Sequence, residues 1–95
     1  MTKEEILKIL KNNKETIKDR FSIEKIGLFG SYANGDNNKD SDIDLVVEMS
    51  DRNYFKLIEF ENYLKVKFKV DVDIGFLDSM KSYIRNSITK SIIYV

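Results

Sequence analysis

Apolar residues at Ile6, Leu7, Leu10 and Ile17 recur at helical spacing, so the pattern predicts an N-terminal helix through about residue 19. Thr2 followed by Glu5 provides a capping box for its first turn. Lys25 to Phe29 is a short apolar run that reads as a strand and ends at Gly30-Ser31. Residues 34–40 (NGDNNKD) are dense in turn formers and read as an exposed loop. From Ser41 to Glu48 the period becomes two: Ile43, Leu45 and Val47 face one way, Asp42, Asp44 and Val46 the other. Ser50 or Asp51 is the expected cap of a second helix through about Lys67, with Tyr54, Leu57, Ile58, Glu61 and Leu64 at helical spacing. Lys69 to Gly75 alternates again, Val70, Val72 and Ile74 against Asp71 and Asp73. Asp78 or Ser79 caps a last predicted helix through about Lys90, followed by the apolar tail Ile92-Ile93-Tyr94-Val95. The predicted order is αβ(turn)βαβα, an α/β fold with helices packed on a small mixed sheet, and residues 1–95 read as one domain.

Composition narrows the chemistry. Sixteen Lys+Arg balance sixteen Asp+Glu, which argues against bulk nucleic-acid binding. With neither Cys nor His in the chain, disulfides, thiolate or imidazole metal sites and Ser-His triads are excluded. Carboxylates, hydroxyls, amines and bound metal remain. The charged N-terminus does not read as a signal peptide and no apolar run reaches membrane-spanning length, so the expected location is cytoplasmic.

The densest chemistry lies between Leu28 and Glu48, LFGSYANGDNNKDSDIDLVVE. A Gly-Ser turn offers backbone N–H groups and a hydroxyl to a phosphate. Ten residues later, Asp42 and Asp44 leave one face of a strand with Cα atoms about 6–7 Å apart. That spacing lets two carboxylates converge on cations about 3.5–4 Å apart, as in two-metal phosphoryl chemistry. Mg²⁺ suits such oxygen ligands and takes substrate phosphates as further ligands. Taken alone, an Asp-x-Asp is as readily a solvated strand face, and a Gly-Ser an ordinary turn with Ser as helix cap. The coupling of the two elements, and the carboxylates of Asp71 and Asp73 in the following strand, favour the catalytic reading. Lys39 and Asp40 flank the loop, where a charged tip is ordinarily just solvated.

GS, ten residues, then DxD, with LFGS before and SDIDLVVE after, resembles the nucleotidyltransferase superfamily that includes DNA polymerase beta. The chain is most similar to its minimal, or MNT-type, members, and the likeness spans nearly all of it. The resemblance implies that Gly30 and Ser31 contact the β- and γ-phosphates of ATP or another nucleoside triphosphate. It implies that Asp42 and Asp44 ligate two Mg²⁺ ions, with Asp71 as third carboxylate and metal ligand helping deprotonate the acceptor, and Asp73 in reserve. Many relatives carry Arg where this chain has Asn34. A stand-alone domain of this length is expected to find its acceptor on another molecule. For MNT-type proteins the resemblance implies a HEPN-type toxin, AMPylated on a tyrosine by its antitoxin. The alternatives are an antitoxin acting by contact alone and a nucleotide-binding regulatory subunit.

Overall fold

The computed structural model describes residues 1–95. The capping box forms as expected: the Glu5 N–H donates to Thr2 Oγ1 and the Thr2 N–H to Glu5 Oε1, each at 3.2 Å, opening helix α1 (Lys3–Asn12). The single helix expected through residue 19 is instead two, because Asn13 interrupts it before α2 (Lys14–Phe21). The Asn13 amide donates to the Ile9 carbonyl at 2.7 Å and its Oδ1 accepts from the Tyr63 hydroxyl at 3.2 Å, so the break is tied to a later helix. Asparagine competes for backbone groups in this way, which is why it marks helix ends.

Ser22, in the left-handed conformation, turns the chain into strand β1 (Ile23–Phe29). A short helix α3 (Gly30–Asn34) and the expected loop lead to β2 (Ile43–Met49). The next helix is capped by Asn53, not by Ser50 or Asp51: its Oδ1 accepts from the N–H groups of Phe55 and Lys56, starting α4 (Tyr54–Phe68). The buried stripe of α4 is Leu57, Phe60, Leu64 and Phe68, while Tyr54 and Ile58 are exposed and Glu61 pairs with Lys65. Strand β3 spans Val72–Phe76, a little later than expected. A 3-10 turn (Leu77–Ser79) occupies the expected helix start, and α5 (Ser82–Thr89) begins only after Lys81. The apolar tail forms an unanticipated strand β4 (Ile93–Tyr94).

The strand order is β3-β2-β1-β4, with β2–β3 parallel and the other two pairs antiparallel. One face carries α1, α2 and α4 over an 18-residue core, in which Ile26, Leu28, Ile43, Leu45, Val47 and Val72 meet Ile6, Leu10, Ile17, Phe21, Phe60 and Leu64. The Phe21 ring packs against Phe60 and Tyr63 at centroid distances of 5.3 and 5.2 Å. The opposite face is thinly covered. There a Cβ on Gly27 would lie 2.5 Å from Ile92 Cγ2 and 3.1 Å from both Tyr94 Cε1 and Val46 Cγ2, so the chain approaches closely only because position 27 has no side chain. No helix is long and apolar enough to cross a membrane.

Candidate active site

Strand alternation puts Ile43 and Leu45 in the core and turns Asp42 and Asp44 toward the thinly covered face. Antiparallel pairing sets Phe29, the last residue of β1, opposite Asp44, so the chain enters α3 directly beside that carboxylate. Gly30 has φ 75°, and a Cβ there would collide with Asp44 Oδ2. Both the backbone and the space therefore demand glycine. The first N–H groups of α3 and the Ser31 hydroxyl, which has no partner side chain or carbonyl, lie in the same turn.

On the other side of β2, the parallel ladder places Asp73 opposite Asp44. Asp71 lies just before β3, its carbonyl accepting from the Ile43 N–H at 2.9 Å. Burial lifts the Asp44 carboxyl above the ordinary aspartate range, and the negative charges of Asp73 and Asp42 add to the lift. Three carboxylates thus crowd one end of the sheet, with the Gly-Ser turn against the most buried of them. Asp71 stands at the adjoining edge, one alternation before Asp73. It shares with Asp42 a cavity of about 420 Å³ that is otherwise walled by Lys39, Asp40, Ser41, Lys65, Lys69 and Val70. Gly30, Ser31, Asp44 and Asp73 lie outside that wall. Asn34 is exposed at the end of α3.

No three of these carboxylates close into a metal-sized cage. The donor set still fits Mg²⁺, which prefers one or two carboxylates completed by water and substrate oxygens over an all-protein cage. The mutual repulsion felt by Asp44 is also what a divalent cation relieves. The sequence reading did not single out Lys65 and Lys69. Lys65 donates to Glu61 Oε1 at 3.0 Å, and this bond, with Asp71 and Asp73 nearby, holds its ammonium above the usual lysine range. The signal available was the lysine alternation in KVKFK, residues 65–69, one turn before the carboxylates of β3.

Residues 6–95 match the family described as "Nucleotidyltransferase domain". The chain is 36% identical over 96 residues to a protein of Thermococcus cleftensis named protein adenylyltransferase MntA, covering 100% of this chain and 97% of that protein. Among solved structures, a minimal nucleotidyltransferase superposes with a TM-score of 0.80 at 24% identity, over 98% of this chain and 95% of that one. A complex described as a tri-AMPylated Shewanella oneidensis HEPN toxin with its MNT antitoxin superposes with a TM-score of 0.59 at 24% identity, over 97% of this chain and 66% of that one. At that identity the two superpositions carry the fold alone.

Proposed function

Since the chain belongs to the nucleotidyltransferase domain family, we propose that it is a protein adenylyltransferase that moves AMP from ATP to a tyrosine hydroxyl of a HEPN-type toxin, and so acts as its antitoxin. The observation that carries this reading is the packing of Gly30 against Asp44, with Asp73 in register beside it. The contact between that turn and Asp44 supports a site in which phosphate and cation are held side by side. The naming of the Thermococcus cleftensis relative supports the reaction, and the solved toxin–antitoxin complex supports the partner.

Asp42 and Asp44 would hold divalent cations, Mg²⁺ by their oxygen chemistry, and the Gly30-Ser31 turn would orient the β- and γ-phosphates. Bound there, Mg²⁺ supplies charge neutralisation to the attacking and leaving oxygens. For the third carboxylate the register favours Asp73 over Asp71, because Asp73 is the ladder partner of Asp44. That carboxylate takes the tyrosine proton as the phenolic oxygen forms its bond to the α-phosphorus. The bond from the α-phosphorus to its bridging oxygen breaks, and pyrophosphate leaves. Asp73→Asn is expected to cost far more activity than Asp71→Asn; equal losses would return the role to both.

The direct test incubates purified protein, Mg-ATP and the product of the adjacent reading frame, then measures the partner's intact mass. An AMP increment on a tyrosine is expected, and its absence from a folded pair would sink the proposal. The rival reading is neutralisation by contact, favoured by the uncharged Asn34 where many relatives carry Arg. Neutralisation that survives the Asp42→Asn, Asp44→Asn double variant would establish that rival.

A further inference from the structure

Helix α4 buries Leu57, Phe60, Leu64 and Phe68 against the sheet, yet its opposite face is not polar. Phe55, Ile58, Asn62 and Val66 recur there at spacings of three and four. Phe55 is 81% exposed, Val66 77% and Ile58 55%. One core needs only one apolar stripe per helix, and a second row on the outside marks an interaction surface. None of the four lines the carboxylate site or its cavity.

The two ends of the row differ. At the start, Phe55 projects as a knob that makes no ring or cation–π contact within the chain. Toward the other end an open cavity of about 530 Å³ is walled by Arg20 of α2 and by Glu59, Asn62, Tyr63, Val66 and Lys67 of α4. Arg20 stands 5.3 Å from the centroid of the Tyr63 ring and Lys67 4.9 Å. Arg20, Glu59 and Lys67 make no ion pair, although they share this cavity. Knob and cavity therefore lie on one helix face, with Phe55 and Val66 about 16 Å apart along it.

We propose that α4 packs antiparallel on α4 of a second copy of this chain, about a two-fold axis midway between Phe55 and Val66. That axis sets each Phe55 on the Val66 of the other copy, at the mouth of the cavity. There the ring meets Tyr63 and the cations of Arg20 and Lys67. The same rotation brings each Glu59 toward the Arg20 of the other copy, so charges left unpaired in one chain complement each other across the axis. A two-fold interface must be complementary to itself, and here knob, cavity, acid and base all stand on the same face. A helix face about 22 Å long falls short of the roughly 800 Å² per partner of a standard interface, so the dimer dissociates in the micromolar range. The C-terminal end of α4 leads to the cavity shared by Asp42 and Asp71. In an antiparallel pair the two transfer sites therefore lie at opposite ends, and both stay open to an acceptor.

Sedimentation equilibrium of the purified chain, up to about 500 µM, tests this. Wild type is expected to move from monomer to dimer across that range. Phe55→Glu is expected to remain monomeric with unchanged circular dichroism, because the side chain buries almost nothing in its own fold. Arg20→Glu and Glu59→Arg are each expected to weaken dimerisation at least about fivefold, since each sets like charges across the axis. Mixing those two variants is expected to recover the dimer, which only a contact between copies can do. The proposal is overturned if wild type stays monomeric throughout, if the dimer survives Phe55→Glu, or if the mixture recovers nothing. A monomeric wild type whose binding to the product of the adjacent reading frame is lost in Phe55→Glu would assign the face to that protein and overturn the second copy.

Discussion

The two faces of the sheet answer to different demands. On the helix face, side chains from β1, β2 and β3 interlock with α1, α2 and α4, and no polar or charged residue is fully buried anywhere in the chain. On the other face, glycine at position 27 admits Ile92 and Tyr94, and beyond them the carboxylates of Asp42, Asp44 and Asp73 stand together. The first face gathers groups that gain by contact. The second keeps like charges close, an arrangement that costs stability unless something else binds there. Strand alternation here separates the core from the proposed site at single-residue resolution: Ile43 and Leu45 pack in the core, and Asp44 between them faces the other way.

Substitutions on each face should separate these duties. Asp42→Asn with Asp44→Asn is expected to lower nucleotidyl transfer by about 10³-fold or more while leaving circular dichroism unchanged. A folded variant with near-normal turnover would erase the division. Phe60→Ala on the helix face is expected to cost about 3–5 kcal/mol in denaturant unfolding, with activity per folded molecule retained. Gly30→Ala tests the seam between the two. Collision with Asp44 and a left-handed backbone are expected to lower activity about 10²-fold with a destabilisation of about 1–2 kcal/mol, read by kinetics and urea titration.

The smallest effect is the sharpest. Asp44 has a raised pKa in the fold, so its contribution to stability improves as pH falls through that raised value and is unfavourable above it. Asp44→Asn alone should therefore raise Tm at neutral pH, by less than about 4 °C, while abolishing function. The same direction bears on loading of the proposed site. The cation-free protein's affinity for a divalent cation should begin to fall on acidification above the ordinary aspartate range, because a protonated Asp44 is a poorer ligand, which titration calorimetry across pH checks.

What could be read in the sequence follows the same division. Period-two alternation located β2 and the face of Asp42 and Asp44, because a strand leaves its side chains no other choice. The capping box at Thr2 was legible for a similar reason: its partners are three residues apart. The break at Asn13 was not, since it depends on a hydroxyl fifty residues away. Nor was the cap at Asn53, where Ser50, Asp51 and Asn53 compete and only the docked helix decides. The tail became a strand because β1 offered an unpaired edge, a fact of topology and not of composition. Asp71 and Asp73 share a face, and only the register with β2 distinguishes them.

Crowding around Asp44 has one further use. A metal–triphosphate that binds the folded chain alone stabilises it by mass action, about 2.7 kcal/mol at a hundredfold excess over its dissociation constant. For a domain of this size that is a melting shift of roughly 10–20 °C. The nucleobase preference of the site can therefore be ranked by heating the protein with each triphosphate in turn, before any acceptor has been identified.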